Sequence, residues 1–365
     1  MNRLRQLHDA GVSIWLDTLS RDLLGSGRFA ELIAGSAVTG ATSNPSIFAK
    51  AISGSDLYDE QLATLSAAGA HDRQELFFAI ALDDIRRAAD LLRPAYEASG
   101  GRDGFVSFEC TPDVADDTGA TVEQALELWA RIARPNAMIK VPATEAGLPA
   151  IEALTARGVN VNVTLLFSVA RYEQVIDAYV AGLERRVRAG QPVGEIASVA
   201  SFFVSRIDAK ADAVLPADSR LRGRVAIANA HRAYARSRVR FSDRRWLALE
   251  RAGAHPQRPL WASTGTKDPA HPDVLYVEEL IAPGVINTMS EATLRAFADH
   301  GTVGAELTAE AGAAEATLRE ATEAGVDLEA ITRRLERSGV SAFCDSYREL
   351  LSRIETVLQR ATLAR

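Results

Sequence analysis

Of 41 basic side chains in this sequence, 37 are arginine and four are lysine: Lys50, Lys140, Lys210 and Lys267. Where positive charge is nearly always written as arginine, a retained lysine points to chemistry that guanidinium cannot do. Only the lysine amine loses its proton in practice, and it then forms Schiff bases with carbonyls. Lys140 lies in Asn136-Ala-Met-Ile-Lys-Val-Pro142, a short apolar run that reads as a buried strand. An ammonium there is costly unless paired or deprotonated. The segment by itself supports two readings, a Schiff-base lysine and a lysine snorkelling from a strand edge.

Carbon–carbon cleavage through a Schiff base needs a neutral amine, acid/base groups to move protons at the carbinolamine and at the hydroxyl beside the breaking bond, and hydrogen bonds to hold a polyhydroxylated chain. Asp17 and Glu109 can supply the acid/base groups. A carboxylate close to the amine would favour its charged form, so neither is expected to pair tightly with Lys140. An anionic substrate group needs a local cation, for which Arg206 and Lys267 are the candidates.

These residues sit at the ends of short β-branched runs. The sequence predicts strands at Val12–Thr18, Ala37–Asn44, Gly104–Cys110, Asn136–Pro142, Val159–Thr164, Ile196–Phe203, Pro259–Thr264 and Gly284–Thr288. Helical patterns lie between most of them, and residues from about 291 to 362 read as helical with a break near Ser338-Gly-Val340. Regular strand–helix alternation implies a parallel sheet. Eight units predict a (β/α)8 TIM barrel with additional C-terminal helices, a single domain over residues 1–365 with its strands in about 12–288. A doubly wound open sheet is the alternative. Strand side chains alternate between faces. On that basis Asp17, Thr42, Asn44, Glu109, Lys140, Asn162, Thr164, Ser201, Phe203 and Ser263 collect near strand C-terminal ends, with Arg206 and Lys267 just beyond. That end is where such barrels do chemistry.

The formal net charge of −7 argues against general nucleic-acid binding. Two cysteines are too few for a disulfide framework or a cysteine zinc site. No apolar run approaches the ~20 residues that span a bilayer, and no signal peptide is visible, so a soluble cytoplasmic protein is expected. The six histidines are scattered, which disfavours a metal-dependent aldolase, and no metal or organic cofactor is expected. Gly25-Ser-Gly-Arg-Phe-Ala30 matches a dinucleotide-binding pattern, but Ser20–Leu24 separate it from the first strand. It reads as a turn before a helix. Lys210, one helical turn from Arg206, reads as a solvated or paired lysine.

The chain resembles transaldolase of the longer bacterial type. The resemblance rests on Trp15-Leu-Asp-Thr18, Gly40-Ala-Thr-Ser-Asn-Pro-Ser46, Val106-Ser-Phe-Glu109, Met138-Ile-Lys-Val-Pro142, the run from Gly158 to Ser168, Ala200-Ser-Phe-Phe-Val-Ser-Arg-Ile-Asp208 and Trp261-Ala-Ser-Thr-Gly-Thr-Lys267. It implies transfer of a dihydroxyacetone unit from sedoheptulose 7-phosphate or fructose 6-phosphate to glyceraldehyde 3-phosphate or erythrose 4-phosphate, in the pentose phosphate pathway. Lys140 would be the Schiff-base lysine and Asp17 the acid/base at the hydroxyl of the cleaved bond. Glu109 and Thr164 would hold a catalytic water. Asn44, Asn162 and Ser201 would bind the dihydroxyacetone hydroxyls, with Thr42 lining the same wall, and Arg206 would bind phosphate. One departure stands out: where the family's best-known branch has serine then arginine after strand seven, this chain has Ser263-Thr-Gly-Thr-Lys267, so Lys267 would replace the arginine. A monomer and a homodimer both fit.

Two rivals remain. A non-catalytic sugar-phosphate binding protein could keep the cations and lose Lys140, Asp17 or Glu109, but all three are present. A fructose 6-phosphate aldolase shares the lysine, but those relatives are shorter, carry tyrosine where this chain has Phe203, and lack the glutamate. Cleavage of fructose 6-phosphate should therefore be slow without an aldose-phosphate acceptor, and rapid acceptor-independent release of dihydroxyacetone would favour the aldolase.

Overall fold

The computed structural model describes residues 2–363. Its strands are β1 (Ser13–Leu16), β2 (Val38–Thr42), β3 (Val106–Glu109), β4 (Ala137–Pro142), β5 (Val161–Leu166), β6 (Ser198–Phe203), β7 (Arg258–Ala262) and β8 (Ile286–Met289). They pair in sequence order, all parallel, and β8 closes on β1. This is the expected (β/α)8 barrel. Closure rules out the open sheet, which would leave two unpaired edges. Nearly every strand residue is buried, as packing a sheet between its own interior and an outer helical layer requires.

Inside the barrel, bulk is fitted to space. Trp15 is fully buried, and its indole Nε1 donates to Asp103 Oδ1 at 2.9 Å. A Cβ on Gly40 would lie 2.5 Å from that indole, so only glycine fits opposite it on β2.

Several short helices escaped the sequence pattern, among them Arg21–Gly25, Pro45–Ser53 and Asp59–Ala67. Pro45–Ser53 nevertheless carries clear start signals: Asn44 accepts the Ile47 N–H at 3.0 Å, and Pro45 occupies the first turn. The dinucleotide-like segment is a turn at Gly27, φ 83°, between Arg21–Gly25 and the helix Arg28–Gly35, as expected of a turn before a helix.

The predicted break near Ser338-Gly339-Val340 is overturned. The helix Leu328–Leu363 runs unbroken through it, and the chain breaks instead after His300 and after Glu323. Gly339 serves close approach: a Cβ there would meet Leu165 Cδ2 at 2.8 Å, so glycine lets this helix lie against the end of β5.

A buried clamp fixes the segment after β1. The Arg21 guanidinium pairs with Asp84 at 3.1 Å, stacks 4.4 Å over Tyr58, and donates to the Ile80 carbonyl at 3.1 Å. The Tyr58 hydroxyl donates to the other Asp84 oxygen at 2.9 Å. Burial pushes the Asp84 carboxyl up, with Arg21 opposing. Removing one member of a buried pair strands the other, so Asp84→Ala should cost about 3–5 kcal/mol. Urea unfolding checks this; a loss below ~1 kcal/mol, the range of an exposed pair, would refute the clamp.

Candidate active site

Strand register brings the polar residues to one level of the barrel. Glu109 on β3 is opposite Lys140 on β4, which is opposite Asn162 on β5. Lys140 is 4 % exposed. Its Nζ lies 3.4 Å from Glu109 Oε2 and 3.4 Å from the Ser43 carbonyl oxygen. The expectation of no tight pairing holds for Asp17, which forms no ion pair among the described residues. For Glu109 it is corrected: the carboxyl does reach the amine, though at a distance beyond the ~2.7–2.9 Å of a strong charge-assisted hydrogen bond. Burial explains why both can coexist. It raises the Glu109 carboxyl to about 7, Lys140 offsetting part of the rise and the Asp17 charge adding to it.

The C-terminal mouth opens into a cavity of about 630 Å³. Of the sequence candidates, Asp17, Thr42, Asn44, Lys140, Ser201, Phe203, Arg206, Ser263 and Lys267 line it. Glu109, Asn162 and Thr164 lie behind this surface, in the barrel wall. Asn162 is held from both sides, its Nδ2 donating to Ser107 Oγ at 2.9 Å and its Oδ1 accepting from Ser201 at 2.7 Å. Thr164 is fully buried and its hydroxyl has no partner among the described residues. Asn160, which shares their alternation, instead ties Pro135, Ala137 and Ala197 together at the other end of the barrel.

The Thr42 hydroxyl donates to Asp17 Oδ1 at 2.8 Å and lies 2.9 Å from Thr288 Oγ1, which fixes the carboxylate at the mouth. Asn44 caps the following helix through Oδ1, leaving its amide nitrogen for the cavity. The Arg206 guanidinium stacks 5.0 Å over Phe203 and has no ion pair among the described residues; burial lowers its pKa and Asp17 partly offsets this. Lys267 is exposed and has no ion pair among the described residues. Of the four non-glycine residues with left-handed backbone among the described residues, two, Leu165 (φ 59°) and Ser263 (φ 56°), immediately follow Thr164 and Ala262; the others, Ala37 and Ala133, lie away from the site. Such strain, of order ~1–3 kcal/mol, concentrates at functional sites.

Among the lining residues that the sequence reading did not place in the site are Lys50, Thr288 and Phe343. Lys50 belonged to the scarce lysines, and Thr288 ends β8 as the other polar residues end theirs. Phe343 comes from the C-terminal helix and carries no local signal. Lys210 is exposed and lies outside this cavity.

A second cavity, at the opposite end of the barrel, includes Ser13, Asp103 and Arg258. Arg258 is already saturated by the carbonyls of Gly284 and Arg102 and the Ser13 hydroxyl, so it reads as a structural plug. The one group among the described residues whose ligand atoms could converge on a cation is Asp212, Asp268 and His271. Its carboxylates are committed, Asp212 to the Gly223 N–H and Asp268 to Arg222 and the Ala270 N–H.

The sequence model of the family described as Transaldolase/Fructose-6-phosphate aldolase matches residues 14–354. A Transaldolase of Thermobifida fusca (strain YX) is 52% identical over 365 residues, covering 98% of this chain and 99% of the relative. A Transaldolase of Parafrankia sp. (strain EAN1pec) is 51% identical over 364 residues, covering 98% of each. Transaldolase 2 of Streptomyces coelicolor is 47% identical over 367 residues, covering 98% of this chain and 97% of the relative. The closed barrel, the buried lysine at its mouth and this full-length similarity agree: the chain belongs to the transaldolase/fructose-6-phosphate aldolase family.

Proposed function

We propose that this protein is a transaldolase, which moves a dihydroxyacetone unit from sedoheptulose 7-phosphate or fructose 6-phosphate to glyceraldehyde 3-phosphate or erythrose 4-phosphate in the pentose phosphate pathway. The observation that carries the reading is Lys140: a buried amine on β4, flanked by Glu109 and Asn162, opening into a cavity whose further cations have no ion pair among the described residues.

The uncharged Lys140 amine attacks the ketose carbonyl. Glu109, which keeps a proton up to about pH 7, and the buried Thr164 hydroxyl hold the water gained or lost as carbinolamine becomes imine. Asp17, oriented by Thr42, takes the proton from the hydroxyl beside the breaking bond. That bond's electrons flow into the iminium, leaving a three-carbon enamine on Lys140 while the shorter aldose phosphate departs. Addition of the enamine to the incoming aldehyde reverses these steps. Asn44, Asn162 and Ser201 orient the three-carbon hydroxyls, and Arg206 with Lys267 and Ser263 takes the phosphate. Donor and acceptor share that phosphate position because each presents its phosphate at the end away from the reacting carbon.

Phe203 favours transfer over simple aldol cleavage, since it brings no hydroxyl to the mouth and instead supports Arg206. The C-terminal helix reaches the cavity through Phe343, which supports reading barrel and tail as one domain. No helix among the described residues is long and apolar enough to cross a membrane. We assign the protein to the cytoplasm, with its substrates.

Borohydride reduction in the presence of fructose 6-phosphate should attach a three-carbon unit to the peptide containing Lys140, and Lys140→Ala should abolish labelling and lower turnover at least ~10⁴-fold. A label on another lysine, or wild-type turnover in the variant, would sink the assignment.

Glu109→Gln should slow turnover by ~10²–10⁴-fold, the scale of lost acid–base catalysis. It should also change how stability depends on pH. The folded Glu109 carboxyl titrates near 7 against 4.5 for an unperturbed one, so the native chain holds a proton there that the unfolded chain has released. Wild-type stability therefore includes a contribution that is complete below about 4.5 and is lost as pH rises to about 7. Urea midpoints between these pH values should fall less steeply in Glu109→Gln; equal slopes would refute the raised carboxyl.

A further inference from the structure

Phe343 enters the mouth from a helix more than two hundred residues beyond Lys140. It is 7 % exposed and lines the same cavity as the lysine. Lys140 Nζ lies 5.9 Å from the centroid of its ring, within the ~6 Å over which an aromatic face attracts a cation. The amine thus meets polar groups on its wall side, at Glu109 and the Ser43 carbonyl, and a hydrocarbon ring at the cavity. The helix carrying the ring is held independently of the lysine. Ser46 donates to the Ser346 hydroxyl at 2.6 Å, the Tyr347 hydroxyl donates to Gln74 Oε1 at 2.9 Å, and Gly339 lies against Leu165. A phenyl ring neither donates nor accepts a proton, so what it can contribute is shape, exclusion of water and a π-face.

We propose that Phe343 is a positioning residue that shields the Lys140 adduct from water, and so sets how the bound three-carbon unit divides between the aldose-phosphate acceptor and release as free dihydroxyacetone. This rests on the Schiff-base reading above. Once the donor's carbon–carbon bond has broken, the enamine has two fates. It can attack the acceptor aldehyde through its carbon. Alternatively that carbon takes a proton, water adds to the C=N bond, and the amine leaves as free dihydroxyacetone departs. The water consumed in hydrolysis equals the water released when the imine formed, so this second fate converts ketose phosphate into dihydroxyacetone and the shorter aldose phosphate with no further reactant. Both steps of the second fate need a proton or a water at the adduct. A ring over the nitrogen excludes water there.

The experiment compares wild type with Phe343→Leu and Phe343→Ala. It measures dihydroxyacetone release from fructose 6-phosphate without acceptor, divided by transfer to glyceraldehyde 3-phosphate, with Tm recorded for each protein. The ratio should rise about threefold in Phe343→Leu and about tenfold in Phe343→Ala, the latter equivalent to ~1.4 kcal/mol between the two barriers. A ring needed only for packing would lower Tm and both rates together, leaving the ratio where it was. An unchanged ratio in Phe343→Ala overturns the proposal; if that variant does not fold, an unchanged ratio in Phe343→Leu does so. A wild-type protein that neither traps ketose on borohydride nor transfers would instead defeat the Schiff-base reading, whatever the variants do.

Discussion

Burying one lysine beside one carboxyl, in the wall of a closed barrel, is the constraint around which the rest is arranged. Charge in that position is expensive unless matched, and a matched pair would hold the amine in its unreactive form. The structure relieves both problems with the same burial. Glu109 is desolvated enough to keep its proton near neutral pH, and its contact with Lys140 stays long at 3.4 Å. A carboxyl that holds its proton stabilises the ammonium form of a neighbouring amine less than a fixed carboxylate would. The strand register that puts the two opposite each other is therefore as much a part of the chemistry as the residues themselves.

The remaining elements place rigidity where orientation matters and leave cations open where a ligand must dock. Asp17 is tied to Thr42, Asn44 to the first turn of its helix, and Asn162 to hydroxyls on both neighbouring sides. The backbone takes strained turns at Leu165 and Ser263, directly beyond the strand residues that face the site. In contrast, Arg206 leans on an aromatic face, and Lys267 and Lys50 line the cavity exposed, with no ion pair among the described residues. The chain as a whole is acidic, so positive potential at the mouth is local, which suits an anionic substrate arriving from solvent.

Strand count and order were legible because each strand is buried on both faces and reads as an apolar run, while its polar end residues break that run on alternate positions. The same alternation found Asp17, Thr42 and Asn44 at the mouth and Glu109, Asn162 and Thr164 in the wall, but could not say which were which, since that depends on level along the barrel axis. Asn160 shares the alternation of Asn162, yet it ties backbone groups together at the far end of the barrel. Phe343 was invisible because its proximity to Lys140 arises from one helix crossing the mouth, a contact with no local pattern. Gly339 was misread because glycine marks both a helix break and a close approach, and only the neighbour, Leu165, distinguishes them.

The order of synthesis gives the C-terminal helix a further meaning. A ribosome that has just finished β8 at Met289 has produced every strand and nearly every polar side chain of the mouth, yet the segment bearing Phe343 and Ser346 has still to emerge. Until that helix docks, the barrel is an unroofed one, with its lysine amine open to solvent. Closure of the chamber thus rests on contacts far apart in sequence, 300 residues for Ser46 and Ser346, and such non-local contacts are intrinsically slow to form.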